Sequence, residues 1–259
     1  MSPELFVPPA AAQSPLPKPT AAEALEGESL AAWVRETVWT AEADRPRSRQ
    51  RAVGPSELGL ACSREIAYKL AGTDPVNHGI DPMRSLVGQA VHGHLAETFR
   101  QLRPVGRYLV EHPVSYEGVA GTLDLYDRRT RTLIDWKTSR TAKIRRTAVD
   151  GPPRHYRWQS QVYAAGLLAQ GETPTRCAVV YIPTDGELAD VMAWIYPINA
   201  DEADDAVARL TAVRERLDIV SNNPGAVDAQ PSRLCPWCPY HRPEWTGDLA
   251  VACPGEDKK

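Results

Sequence analysis

Two aspartates and a lysine sit in the stretch GTLDLYDRRTRTLIDWKTSR, residues 121–140, among residues that otherwise suit a strand hairpin. Alternate side chains of a strand share a face, so Asp135 and Lys137 point one way while Ile134 and Trp136 point the other. With a turn over residues 128–131, Asp127 pairs with Thr132, and Asp124 then lies opposite Asp135 at roughly 5 Å. Facing like charges destabilise a sheet. A divalent cation between them reverses that cost, because carboxylate oxygens are the hard ligands that Mg²⁺ or Mn²⁺ takes. Lys137 would hold an attacking water or neutralise charge growing on a phosphate. That is the chemistry of metal-assisted phosphodiester hydrolysis. The plainer reading is a hairpin with one solvated, charged face, on which an Asp and a Lys two apart are common.

Two helical segments offer groups that could complete such a site. In LVGQAVHGHLAETF, Gly88 and His92 share a face four residues apart, beside the apolar stripe of Val91, Leu95, Phe99 and Leu102. His92 can turn inward, Gly88 would admit a neighbouring backbone, and His94 points away. In RHYRWQSQVYAAG, Gln159 and Tyr163 share a face next to Trp158, Val162 and Ala165. Their amide and phenol could bond the lysine, a phosphate or a nucleic-acid backbone; an ordinary polar edge on an amphipathic helix looks the same.

Five cysteines are present, Cys62, Cys177, Cys235, Cys238 and Cys253. Cys177 lies in the apolar run RCAVVYI and reads as a small core residue. Cys235 and Cys238 form C-x-x-C, the spacing for two thiolates on one metal centre.

The elements that must carry these groups follow from periodicity. Residues 1–27 are rich in Pro and Ala and read as a disordered tail; 28–53 hold a short helix and a charged linker; 54–259 form the main domain, with a cysteine-rich segment at 233–255. Within it, SELGLACSREIAYKLAG reads as one helix from Ser56 to Gly72, and MRSLVGQAVHGHLAETFRQL as the next. Strands are expected at 107–116, 119–127 and 131–138, a helix ends at Gly171, two strands follow, then the amphipathic helix ADEADDAVARLTAVRERLDIVSNN. TSRTAKIRRTAVDGPPR reads as a loop. The net charge is -3, yet residues 100–157 hold 13 Arg and Lys against 6 Asp and Glu, which suits either a polyanion-binding face or a solvated surface. Arg140, Lys143, Arg145 and Arg146 are the candidates for phosphate contacts. There is no apolar run long enough for a membrane span and no signal peptide, so a cytoplasmic location is expected.

GQAVH with His92, GTLD with Asp124, DWK with Asp135 and Lys137, and QSQVY with Gln159 and Tyr163 occur in the order of the RecB-type exonucleases, a branch of the PD-(D/E)-x-K superfamily that the chain resembles over roughly residues 54–255. The resemblance implies an α/β restriction-endonuclease-like core, a mixed sheet flanked by helices. It implies that His92, Asp124, Asp135 and the Trp136 carbonyl hold Mg²⁺ or Mn²⁺, that Lys137 is the catalytic lysine, and that Gln159 and Tyr163 support the site. One early and three late cysteines also resemble the CRISPR-associated Cas-four-type iron-sulfur exonucleases. There Cys62, Cys235, Cys238 and Cys253 would hold a 4Fe-4S cluster joining both ends of the core, with zinc as the alternative. Cys253 follows Cys238 after a longer gap than usual in that family, which leaves His241 as a possible substitute. The implied activity is metal-dependent DNA exonuclease action in recombination, repair or phage DNA processing, with DNA and a single-strand annealing protein or other recombination factor as partners. A DNA-processing subunit of a CRISPR adaptation-type complex and an endonuclease on the same core are the alternatives.

Overall fold

The computed structural model describes residues 20–43, 52–102 and 104–255. The chain divides into two units, Met1–Ser48 and Arg49–Lys259. In the first, helix α1 runs Ala21–Ala43, starting inside the segment expected to be tail. Residues 21–28 are dominated by Ala and Glu, strong helix formers that carry the helix back toward Thr20. The rest of the expected tail, 1–19, and the linker residues 44–51 lie outside the described residues.

In the second unit, α2 (Pro55–Leu58), α3 (Ser63–Leu70) and α4 (Met83–Gln101) precede strands β1 (Tyr108–Tyr116), β2 (Val119–Asp127) and β3 (Thr132–Ser139). Helices α5 (Thr141–Asp150) and α6 (Arg154–Ala169), strands β4 (Arg176–Pro183) and β5 (Met192–Pro197), and α7 (Ala200–Ile219) follow. The sheet runs β1-β2-β3-β4-β5 in space. All neighbours are antiparallel except β3 and β4, which are parallel. A parallel pair needs a crossover, and α5 and α6 supply it. The expected mixed sheet flanked by helices is therefore what the chain builds.

Two elements differ from expectation. The helix read from Ser56 to Gly72 is broken between α2 and α3, because Gly59 lies against His155: a Cβ there would sit 2.2 Å from the His155 Cα. The second break is the segment after Lys137, which is a helix rather than a loop. Ile144 and Thr147 of α5 are buried, Ile144 against Val179 and Tyr181. Two inward positions three apart suffice to seat a helix among otherwise exposed Arg and Lys.

Helix α6 is the spine of the unit. One side packs with Leu123, Tyr126, Leu133 and Cys177 of the sheet through Tyr163, Ala164 and Leu167. Its other side, Trp158 and Val162, meets Leu58, Ile66, Ala206 and Leu210 from α2, α3 and α7. Asn199 caps α7 by accepting from the Asp201 N–H at 3.0 Å. Across the sheet, Phe99 of α4 stacks on Trp136 of β3 at 5.6 Å between centroids.

The β2–β3 turn is held by Asp127. Its carboxylate accepts from Arg107 Nε at 2.8 Å and Nη2 at 2.7 Å, from the Arg129 N–H at 3.0 Å and from the Thr130 hydroxyl at 2.9 Å. Arg107 above all holds this carboxyl down, from an ordinary 3.8 to about 2. A depressed carboxyl contributes stability that is complete above its ordinary value and lost as pH falls through the lowered one. Asp127→Asn is therefore expected to lower unfolding stability by about 1.5–3 kcal/mol at neutral pH in urea titrations, with the gap to the parent narrowing as pH falls from about 4 to 2.

Candidate metal-dependent active site

Strand β3 delivers Asp135 and Lys137 to the face covered by α6. Lys137 Nζ lies 2.6 Å from Asp135 Oδ2 and donates to Gln159 Oε1 at 3.2 Å. Gln159 Nε2 in turn donates to the Tyr163 hydroxyl at 3.4 Å. The two residues expected to support the lysine are thus in line with it. Tyr156, one turn before Gln159 on α6, places its ring 4.9 Å from the same ammonium. Three sides of Lys137 are therefore occupied: a carboxylate, an amide oxygen and an aromatic face.

Asp135 is only 1 % exposed, and neither of its oxygens receives a well-directed hydrogen bond. The Lys137 ammonium lies 2.6 Å from Oδ2, at ion-pair distance. Burial pushes the Asp135 carboxyl up, and Asp124 adds to this while Lys137 opposes it. Burial also works against the charge on Lys137, but Asp135 outweighs it and the amine is raised. A fully buried carboxylate set against a lone ammonium fits a divalent cation, which takes such oxygens as ligands.

Asp124 does not face Asp135 as a ladder pair. The β2–β3 register runs Asp127 with Thr132, Tyr126 with Leu133 and Leu125 with Ile134, and ends there. Instead Asp124 Oδ2 accepts from the Trp136 N–H at 2.7 Å, while Oδ1 lies 3.2 Å from His92 Nδ1. The cause is a reversal of strand faces. Leu109 and Val114 of β1, and Leu123 and Tyr126 of β2, all pack into one cluster although each pair is an odd number of residues apart. Regular alternation forbids that. The reversal falls at Glu111, whose φ is 48°, opposite Asp124 between the pairs Val110–Leu125 and His112–Leu123.

His92 stands on α4 where Gly88 and Phe99 bring that helix to β3. A Cβ on Gly88 would meet only the Thr138 hydroxyl at 3.4 Å, so the neighbour is a side chain and not the expected backbone. Burial disfavours the charged imidazole, but the Asp124 hydrogen bond and charge outweigh it and raise His92. One atom each from His92, Glu111 and Asp124 lie within 4.8 Å of one another. Glu111 is a residue that sequence reasoning passed over. Its signal was the turn at Glu117 and Gly118, both with positive φ: pairing Tyr116 with Val119 and counting back sets Glu111 against Asp124.

At the other end of the unit, Cys62, Cys235, Cys238 and Cys253 line a single cavity of about 190 Å³, with His241, Arg64 and Glu65. The long gap before Cys253 is closed by main-chain bonds: the Cys253 N–H donates to Tyr240 O, and the Arg242 N–H to Cys253 O, each at 2.8 Å. Cys177, by contrast, is wholly buried in the core, as expected, and desolvation raises its thiol. Lys143, Arg145 and Arg146 form the exposed side of α5, and Arg140 is its exposed N-cap.

The sequence matches the PD-(D/E)XK nuclease superfamily over residues 17–242. The chain belongs to that superfamily. No curated protein matches it in sequence. Among solved structures, this nuclease is similar to the alkaline exonuclease LHK-Exo from Laribacter hongkongensis, at 16% identity and a TM-score of 0.47, covering 68% of this chain and 94% of that one. The same enzyme in complex with dAMP matches at 15% and 0.47, covering 67% and 91%. A phage related exonuclease from Haemophilus somnus 129PT matches at 13% and 0.44, covering 66% and 95%. Among the described residues of this nuclease, no helix is long and apolar enough to cross a membrane.

The ring of Tyr156 holds Lys137 through its face, not its hydroxyl. Tyr156→Phe is expected to keep the nuclease rate within about twofold, and Tyr156→Leu to lower kcat by roughly tenfold, from loss of about 1–2 kcal/mol of cation–π attraction. Steady-state kinetics of both variants check this.

Proposed function

We propose that this nuclease is a divalent-metal-dependent DNA exonuclease that hydrolyses phosphodiester bonds at DNA ends. The observation that carries the reading is Asp135: a fully buried carboxylate set against the Lys137 ammonium at 2.6 Å, that ammonium being held in place by Gln159. A carboxylate in that state is unfavourable in a structural role and suited to holding Mg²⁺ or Mn²⁺. Asp124, Asp135, the Trp136 carbonyl and His92 would hold the ion, which when bound supplies Lewis-acid polarisation of a phosphate oxygen and a more acidic water. Lys137, kept pointing by Gln159 and Tyr156, donates to the attacking water or to the phosphate oxygen on which charge grows. Tyr163 fixes the Gln159 amide, and so the direction of its carbonyl oxygen. Lys143, Arg145 and Arg146, one helix beyond Lys137, with Arg140 at its cap, supply phosphate contacts for the substrate strand.

End-directed action in recombination, repair or phage DNA processing, with an annealing or other recombination partner, is the finer form of this proposal. An endonuclease on the same core is the reading it competes with, and closed-circular DNA separates them. Linear DNA labelled at its 5′ or 3′ end is expected to lose label progressively with Mg²⁺ or Mn²⁺ while a closed circle survives. Asp135→Ala is expected to lose activity by roughly 10³-fold or more with DNA binding retained. Fixed-site cutting of the circle overturns the exonuclease assignment, and retained cleavage by Asp135→Ala overturns the metal site.

We further propose that the four cavity cysteines hold a 4Fe-4S cluster. Tetrahedral zinc needs sulfur atoms about 3.8 Å apart, from Zn–S bonds near 2.3 Å. Among the described residues, no three of these sulfurs lie within 4.8 Å of one another, and the cavity between them has room for a larger group. Anaerobically purified protein is expected to be brown with broad visible absorbance. Cys253→Ser should bleach it while His241→Ala leaves it coloured; a colourless protein with one zinc per chain overturns the cluster.

A further inference from the structure

We infer that His155, with Lys143 and Arg154, forms a phosphate subsite beside Lys137, in which the imidazole donates a hydrogen bond to the DNA phosphate next to the one being cut. The inference deepens the proposed DNA-cleaving function and rests on it.

His155 stands four residues before Gln159 on α6 and eight before Tyr163, so the three share one stripe of the helix. Tyr163 and Gln159 are buried and His155 is half-buried. The stripe therefore leads from the core to the surface past the lysine. The ring of Tyr156 touches both ends of this arrangement. Lys137 Nζ lies 4.9 Å from its centroid, and the His155 ring packs edge-on against it at 4.2 Å. A strand whose scissile phosphate meets Lys137 thus brings its neighbouring phosphate to the imidazole.

The main chain that carries the imidazole is fixed. A Cβ on Gly59 would fall 2.2 Å from His155 Cα, so the end of α2 lies directly on this turn of α6. That end is held in turn by Arg209, which donates to Leu58 O at 2.6 Å and to Ala61 O at 3.2 Å.

The charges that reach His155 are all positive: Lys137 from β3, Lys143 from α5 and Arg154 beside it on α6. Burial first, and then these cations, push the imidazole down from an ordinary 6.5 to about 4. At neutral pH it is uncharged and keeps one N–H to donate. Lys137 has Asp135. Among the described residues Lys143 and Arg154 have no carboxylate at ion-pair distance, and neither ring nitrogen of His155 has a hydrogen-bond partner. Arg154 lies instead over the Trp158 ring, 4.7 Å from its centroid, which holds it at this end of α6. A half-exposed histidine is ordinarily just solvated. This one stands among cations that repel one another, and a phosphate oxygen placed between them answers both cations and the imidazole N–H.

The test is binding of short oligonucleotides to the full chain without added Mg²⁺ or Mn²⁺, read by fluorescence anisotropy. In each oligonucleotide a single phosphate is replaced by a neutral methylphosphonate. Wild type is expected to lose about tenfold in affinity at one position beside the terminal phosphodiester. His155→Phe, which keeps a ring against Tyr156 but cannot donate, is expected to bind unmodified DNA about tenfold more weakly and to be indifferent to the substitution at that position. His155→Gln, which can donate, is expected to recover most of the affinity, and circular dichroism reports that both variants are folded. His155→Phe binding like wild type, or losing affinity at every position just as wild type does, overturns the subsite. So does the reverse order, Phe tight and Gln weak, which is the mark of an imidazole kept for its shape. Wild type that cleaves end-labelled DNA with Mn²⁺ but shows no such position overturns the subsite alone. Wild type that neither binds nor cleaves overturns the nuclease reading with it.

Discussion

A carboxylate stripped of water beside an ammonium, Asp135 against Lys137, is the constraint around which this nuclease is arranged. Neither group is stable in an apolar interior by itself. The fold meets the cost by closing α6 over β3 so that Gln159 and Tyr156 take up the free sides of the lysine. That requirement sets where α6 must lie, and α6 in turn unites the sheet with α2, α3 and α7. A helix buried on two sides tolerates little displacement, so the polar line Lys137, Gln159, Tyr163 is positioned by apolar packing rather than by its own modest hydrogen bonds.

The second constraint is the reversal in the β1–β2 ribbon. A regular ribbon would keep Asp124 on the α6 face, where it would only crowd Asp135. Left-handed Glu111 exchanges the two faces at one position without shifting the register on either side. Asp124 is thereby presented to α4, and a histidine from across the sheet joins carboxylates from its middle. Local strain of this sort persists only where the surroundings over-determine it. Here Gly121 does so: a Cβ on it would meet Pro55 at 2.8 Å and Tyr163 at 2.9 Å, so β2 is packed closely against both α2 and α6.

Much of this was legible in the sequence, because it depends on local pattern. Strand periodicity and the turn after Asp127 placed β1 to β3 within a residue, and the register Asp127 with Thr132 follows from the turn alone. Helical spacing brought His92, Gln159 and Tyr163 to the right faces. What escaped depends on contacts distant in sequence. Gly59 breaks a helix only because His155 lies against it, and Ile144 seats α5 only because Val179 and Tyr181 are there. The face reversal escaped because alternation is assumed, and one positive φ undoes it. The cysteines were countable but not placeable: that Cys253 returns to the cavity depends on its pairing with the Tyr240–Arg242 segment.

Trp136 occupies three roles with three parts of one residue. Its N–H holds Asp124, its carbonyl is a proposed ligand of the ion, and its ring stacks with Phe99. The two faces of the sheet are thus linked through a single residue. An apolar substitution at Phe99 that removed its ring would loosen the indole and with it the peptide planes on either side of Trp136. Tolerance to mutation in this nuclease should therefore not follow distance from the chemistry. A hydrophobic position on the α4 side belongs to the same mechanical unit as the aspartates, and drift there is constrained for reasons that no inventory of polar residues would disclose.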